Sequence, residues 1–356
     1  MQGAQLTFIA PASEQLDEVL SGLPNISSCI NTEESTSSLA RSLLKALFTH
    51  KFDLIHSHGF TAGMLAALPA LLFRIPHIIT THDVLLEPQF SGLKGRLRKW
   101  VVGSLLRLAT VINPVGRDAG QNLVETYPFL DRPGKVEEIQ NGIDIDHFHV
   151  DRARNLRQEA ELPDGSFLLG FFGRFMAQKG FRTLVDSVEL WNRQHPEDTV
   201  TVACFGWGGF IREEQADLKE RGLAQFFRFF PNTNDMPAAL RGVDAVVMPS
   251  RWEACPLLPM EAFVAGVPVI ATRCIGLAEV TESTPAVSFE VGSAESLVGA
   301  LAYFREQQPE INRAVQGYRV EAARRFDVQS TAEKLQALMD SIIPPNRRQR
   351  QGAETE

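Results

Sequence analysis

Two carboxylates, Glu253 and Glu261, stand with seven residues between them in the segment Pro249–Ala262. Pro256 and Pro259 suit the start of a helix, because proline lacks an N–H and fits the first turn. Glu253 is therefore expected on a loop and Glu261 in the helix that follows. At a strand end, such a pair could hold sugar hydroxyls by bidentate hydrogen bonds. It could equally be one salt bridge and one first-turn acid that complements the helix dipole.

A second cluster is Gly173-Arg174-Phe175-Met176-Ala177-Gln178-Lys179-Gly180. It follows an apolar run and opens a helical pattern. The free N–H groups of a helix start, together with Arg174 and Lys179, would clamp a diphosphate. The spacing is not that of a Walker A loop. An ordinary strand-to-helix turn with solvated cations is the competing reading.

Histidines supply the third chemistry. Asp53-Leu54-Ile55-His56-Ser57-His58-Gly59 and Ile78-Ile79-Thr80-Thr81-His82-Asp83 each end a strand-like run on a histidine. An imidazole at a strand's carboxyl end can position a hydroxyl. Packing or capping explains such residues as well, and a His-x-His metal site lacks further ligands nearby in sequence. Cys255 has nothing beside it to lower its pKa and reads as a small buried thiol.

The elements that must position these groups alternate along the chain. Strand-like runs cover Gln5–Ala10, Asp53–Ser57, Pro76–Thr80, Ala109–Asn113 and Lys135–Ile139, then Phe167–Phe172, Thr199–Phe205, Phe226–Phe230, Asp244–Met248, Val267–Ala271 and Ala286–Phe289. Helical stretches such as Ser38–His50, Gly180–Gln194 and Glu295–Gln307 separate them. This pattern predicts parallel sheets with helices on both faces.

The pattern occurs twice. The break, near residues 141–165, opens with Asn141-Gly142, runs through a polar helix and closes with Leu162-Pro163-Asp164-Gly165, both ends being turn signals. Two α/β domains are expected, residues 1–145 and 150–325, with a helix near 328–343 returning to the first and a disordered tail over 344–356. Ligands of such folds bind outside the carboxyl ends of strands, so a cleft facing both domains is the expected site.

Composition narrows the classes. The chain has 356 residues, 44% hydrophobic and 22% charged, which is ordinary for a globular protein. Its 35 Lys+Arg against 43 Asp+Glu argue against a broad nucleic-acid footprint. Four cysteines without a CxxC pair argue against a zinc site or a disulfide framework. Met1–Ala10 lacks the basic start of a signal peptide. The longest apolar block, Phe60–Phe73, is 14 residues with Pro69 inside, too short for a bilayer and suited to a buried helix. Leu93–Arg107 reads as a basic amphipathic helix, able to rest on anionic lipid or to face solvent. A cytoplasmic protein, peripheral on the inner face of the membrane, is the expectation.

Taken together, Gly173-Arg174 with Lys179-Gly180, Glu253 and Glu261, and Gly266-Val267-Pro268-Val269-Ile270-Ala271-Thr272 resemble glycosyltransferase family 4. Asn141-Gly142-Ile143-Asp144 and Gly276-Leu277-Ala278-Glu279-Val280 match further blocks, and the likeness runs from about Asp53 to Asp327. The resemblance implies GT-B architecture, with two Rossmann-like, doubly wound parallel-sheet domains. It implies a retaining hexosyl-type transferase that moves a sugar from a nucleotide sugar to a glycan or lipid-linked hydroxyl, in cell-surface polysaccharide assembly, without metal or other cofactor.

Carried onto matching positions, Arg174 and Lys179 would hold the donor diphosphate and Glu261 the ribose. Glu253 would lie near the transferred sugar. Gly173, Pro256, Leu257 and Leu258 would complete the donor pocket, and the amides at Gly276 and Leu277 would help shape it. His58 and His82 would face the acceptor, with His82 at the reaction centre.

Two departures stand out. No Gly-Gly follows Gln5–Ala10, and the stretch before His-x-His looks about thirty residues short for complete βα units. The expectation is a first domain shortened at its N-terminus, or one with an altered first loop. Cys255-Pro256-Leu257 also replaces the usual Gly-Phe-Gly, removing one N–H from the donor loop. A non-catalytic nucleotide-sugar-binding subunit is the alternative function. A dinucleotide oxidoreductase would rest on the α/β pattern and on Gly206-Trp207-Gly208-Gly209, which lacks the full glycine spacing.

Overall fold

A computed structural model describes residues 5–23, 25–163 and 165–343. The expected disordered tail, 344–356, and Asp164 of the expected turn lie outside the described residues. The chain divides into two compact units. Among the described residues, one comprises 5–115, 120–139 and 331–343, the other 116–119 and 140–330.

The first unit carries β1 (Leu6–Pro11), β2 (Ile26–Thr32), β3 (Ile55–His58), β4 (His77–Thr81) and β5 (Val111–Pro114). β1 and β2 pair in parallel as one sheet, and β3-β4-β5 form a second parallel sheet. Ile79, Leu106, Ile112, Leu123 and Leu130 make the core beside β4 and β5. Full burial of such side chains stabilises by about 1.5–3 kcal/mol each.

The sequence reading needs four corrections. The stretch before β3 holds a helix, Glu14–Ser21, and the unforeseen strand β2. β2 reads Ile-Ser-Ser-Cys-Ile-Asn-Thr, too polar to stand out as a strand. The expected strand Lys135–Ile139 is instead an extended segment with a single bridge, Ile112 to Val136. Its main chain still bonds to β5, the Ile112 N–H to the Lys135 carbonyl at 2.8 Å and the Glu137 N–H to that of Ile112 at 3.0 Å, while the Lys135 side chain turns inward to the carbonyls of Arg107 and Ala109.

Helix Phe60–Leu72 is not wholly buried. Gly63, Ala66, Ala67 and Ala70 pack inward, while Leu68, Leu71 and Leu72 are 50%, 52% and 69% exposed. Finally, two one-turn helices, Ile145–Phe148 and Leu156–Glu159, replace the expected polar helix. Asp144 and Asn155 cap them through their side chains.

The second unit holds β6 (Phe167–Phe172), β7 (Val200–Phe205), β8 (Phe227–Phe230), β9 (Ala245–Met248), β10 (Val269–Thr272) and β11 (Val287–Phe289). They form one parallel sheet in the order β11-β10-β9-β6-β7-β8. β6, β7, β9 and β10 are buried along their whole length. That explains their unbroken apolar sequences, since strands covered on both faces have no polar side. Helix Phe181–Gln194 buries Phe181, Leu184, Val185, Val188 and Trp191, a helical stripe, against this sheet. β6 sits centrally, where the direction of strand succession reverses, and the loop leaving its carboxyl end lies where α/β folds bind ligands.

Candidate functional site

The β6 loop is shaped by Gly180. Its φ is +65°, and a Cβ there would lie 1.9 Å from the Pro249 carbonyl oxygen, so only glycine fits. This close approach brings the loops after β6 and β9 together. The Arg251 N–H donates to the Gln178 carbonyl at 2.8 Å, and Gln178 Nε2 donates to the Trp252 carbonyl at 3.0 Å.

Into this junction Glu253 inserts its carboxylate, only 5% exposed. Lys179 Nζ donates to its Oε1 at 2.7 Å and Ser250 Oγ donates to the same atom at 2.7 Å. Gln178 Nε2 reaches Oε2 at 3.4 Å. A buried carboxylate needs such partners, and here the cation of the second cluster, Lys179, supplies one. The two clusters are thus one site. Arg174 points elsewhere, towards Trp207, and is exposed.

Helix Leu258–Ala265 begins after Leu257 with Pro259 in its first turn, and Glu261 lies in that turn. Burial pushes the Glu261 carboxyl up to about 7. Pro256 is buried, Leu258 half-buried and Leu257 exposed. Cys255 is buried, and burial pushes its thiol up to about 12, which keeps it protonated and inert.

The loop after β10 brings Gly276 alongside. A Cβ on Gly276 would lie 2.3 Å from the Glu253 carbonyl oxygen. The Gly276 N–H is taken by Asp118 Oδ2 at 2.9 Å. Glu279, in turn, accepts from the N–H groups of Arg117 and Asp118 at 2.9 and 2.8 Å. Sequence reasoning passed over Asp118, which no local motif marks.

The histidines assemble in the first unit through strand register. His58 stands opposite Thr80, and Thr80 opposite Asn113. His58 Nδ1 and His82 Nε2 share a hydrogen bond of 3.0 Å at the open end of the sheet. His56 Nε2 meets Thr80 Oγ1 at 2.7 Å, and Thr80 Oγ1 donates to Asn113 Oδ1 at 3.0 Å. His77 is buried against Ser57 Oγ at 2.9 Å.

Burial lowers all four imidazoles below their ordinary range. His56 falls to about 3, with neighbouring histidines adding to the effect, and His77 to about 4, with Lys135 adding to it. The group is neutral at pH 7, with His58 and His82 its exposed members. Thr80 and Asn113 were not singled out from sequence, although both sit at ends of strand-like runs.

Among the described residues no group of three or more His, Cys, Asp or Glu side chains could hold a metal ion. No helix among them is long and apolar enough to cross a membrane.

Comparison with known proteins follows this division. Residues 2–147 match the model described as Glycosyltransferase Family 4, and residues 166–306 that described as Glycosyl transferases group 1. The chain is 28% identical over 245 residues to D-inositol 3-phosphate glycosyltransferase of Salinispora tropica, covering 64% of this chain and 51% of that protein. It is 28% identical over 262 residues to the lipopolysaccharide core biosynthesis mannosyltransferase LpsB of Rhizobium meliloti, covering 71% of each. In structure it resembles HepE of Anabaena, solved in complex with UDP-glucose, with a TM-score of 0.81 at 20% identity over 94% of this chain and 92% of that one. The likeness carries the two-domain α/β architecture known as GT-B.

Proposed function

The chain belongs to glycosyltransferase family 4, and on that premise we propose that it is a retaining hexosyl-type transferase moving a sugar from a nucleotide-sugar donor to a hydroxyl of a glycan or glycolipid acceptor. The observation that carries this reading is the joining of the loops after β6 and β9 by the Lys179–Glu253 pair, with Glu261 in the first turn of the helix that follows β9 and Arg174 on the β6 loop, facing Trp207. Arg174 and Lys179 bind the diphosphate, Glu261 the ribose hydroxyls, and Glu253 the transferred sugar or the cation that faces it. Gly173, Pro256, Leu257 and Leu258 line the donor.

When the bond from the anomeric carbon to the diphosphate oxygen breaks, negative charge grows on the leaving group. Fixed cations and N–H donors stabilise that charge more than the ground state. The reading requires no divalent metal, and activity is expected to survive EDTA. His82, held by His58, positions the acceptor hydroxyl. UDP-glucose in the HepE complex supports a nucleotide-sugar donor as a class, and LpsB a lipid-linked glycan as the class of acceptor.

The acceptor reading extends to a membrane. Helix Gly92–Leu108 exposes Leu93, Leu97 and Trp100 by 80%, 62% and 69%, beside Lys94, Arg96 and Arg98. An apolar row flanked by cations suits the interface of an anionic leaflet. The protein would thus work at the cytoplasmic face of the membrane, where lipid-linked acceptors are presented.

A thermal-shift panel of UDP, GDP, ADP and their sugars tests the donor site on wild type and Glu261→Ala. One nucleotide at 100 times Kd is expected to add about 2.7 kcal/mol of stability. The Glu261→Ala protein should lose that shift. No shift in wild type with any nucleotide would overturn the donor assignment. Binding without sugar transfer to any acceptor would instead favour the non-catalytic subunit.

A further inference from the structure

The glycine cluster Gly206-Trp207-Gly208-Gly209 is not used by the donor reading, and its place in the fold gives it a role. It leaves the carboxyl end of β7, next to the β6 loop. The two loops are joined by main-chain bonds beyond the strands. The Gly173 N–H donates to the Phe205 carbonyl at 2.9 Å, and the Phe175 N–H to the Trp207 carbonyl at 2.8 Å.

The glycines permit this approach. A Cβ on Gly206 would lie 1.8 Å from the Gly173 carbonyl oxygen, and one on Gly208 would lie 2.8 Å from that of Phe175. The cluster therefore serves loop-to-loop contact, not a dinucleotide. It fixes Trp207 directly beside Arg174. The indole is 61% exposed, and the Arg174 guanidinium carbon lies 5.9 Å from its ring centre.

The two cations of the β6 loop thus have partners of different kinds. Lys179 faces a carboxylate, Glu253, which offsets its charge. Arg174 faces an aromatic ring, which attracts a cation through its quadrupole while leaving the full positive charge and all the N–H donors available. An unliganded arginine on an open loop would otherwise sample many rotamers, and ordering it on binding costs affinity.

We propose that Trp207 is a positioning residue for the donor: its indole face holds the Arg174 guanidinium in place to receive the diphosphate. This rests on the donor assignment above. The mode of action is specific, because it operates only through Arg174 and needs only an aromatic face.

Calorimetric titration of UDP, GDP and ADP into wild type, Trp207→Leu, Trp207→Phe, Arg174→Ala and the Arg174→Ala/Trp207→Leu double variant tests it. For the nucleotide that binds wild type, Trp207→Leu is expected to weaken affinity about two- to fivefold, the range for an exposed cation–π contact. Trp207→Phe should recover most of that loss. In the Arg174→Ala background, Trp207→Leu should have no further effect. In turnover assays Trp207→Leu should raise the donor KM and leave the acceptor KM unchanged.

An unaltered Kd in Trp207→Leu would overturn the proposal. So would an equal loss in the Arg174→Ala background, which would mean that the indole touches the donor itself, or a failure of Trp207→Phe to recover binding. Failure of wild type to bind any of the three nucleotides would defeat the donor assignment, and the proposal with it. Trp207 is exposed, so unchanged melting temperatures are expected to show that the variants fold.

Discussion

At the scale of single residues, Glu253 and Glu261, on the loop and in the first helical turn after β9, have opposite surroundings. Glu253 is buried but has a cation and a hydroxyl on one oxygen. Removing Lys179 alone would leave that charge buried without its counter-ion. Lys179→Met is expected to cost about 3 kcal/mol, and Lys179→Met/Glu253→Gln should recover much of it. Urea denaturation of the three proteins measures this.

Glu261 is raised to about 7 by burial. Its folded value lies above its unfolded one, so the folded state binds the extra proton between about 4.5 and 7. Stability falls as pH rises through that window. Glu261→Gln should therefore be more stable than wild type at pH 8 and no more stable at pH 4. In the proposed ribose contact the hydroxyls donate to the ionised Glu261 carboxylate, so wild-type nucleotide affinity should weaken from pH 8 to pH 6, while Glu261→Gln should bind weakly and change little. Titrations at the two pH values decide it. These residues were legible because proline and glycine spacing set them at a strand end. Ser250 and Gln178 were not, because their roles arise only when Gly180 lets two loops meet.

At the scale of elements, helix Gly92–Leu108 shows what periodicity can and cannot tell. Its basic amphipathic pattern was readable, but not which face it would bury. Gly95 decides its seat: a Cβ there would lie 2.2 Å from the carbonyl carbon of Phe90. With the Gly95 face pressed inward, Leu93, Leu97 and Trp100 turn outward. Arg107 and Lys99 are partly engaged, lying over Phe129 at 4.5 Å and Phe90 at 5.8 Å. Lys94, Arg96 and Arg98 therefore carry the expected attraction to lipid, worth about 1 kcal/mol each near an anionic surface. Wild type should co-sediment with phosphatidylglycerol-containing vesicles and less with neutral ones. Leu97→Glu/Trp100→Glu should abolish binding to both, whereas Lys94→Glu/Arg96→Glu/Arg98→Glu should remove only the anionic preference. Equal binding of wild type to both vesicle types would remove the electrostatic part of the reading.

At the scale of the whole molecule, the sheet of the second unit was legible almost strand by strand, because β6, β7, β9 and β10 are buried on both faces and need unbroken apolar runs. The first unit was less so. β2 is half polar, and the segment 135–139 is held both by main-chain bonds to β5 and by the Lys135 and Asn113 side chains. The same contrast sets opposite responses to acid. In the first unit, His56 and His77 are held neutral, at about 3 and about 4, by burial. Their folded values lie below the ordinary 6.5, so the unfolded chain binds more protons as pH falls from 6.5 towards 4. Stability supplied there is present above pH 6.5 and is lost through that window. In the second unit, Glu261 moves the other way, since protonation suits its burial. Amide hydrogen exchange, corrected for intrinsic rates, should therefore rise across β3 and β4 between pH 7.5 and pH 5, while helix Leu258–Ala265 should become no less protected. His77→Gln, which keeps a polar partner for Ser57 but cannot titrate, should blunt the change in β3 and β4. Exchange that rose equally in both regions would show that acid acts on the fold at large and not through these imidazoles.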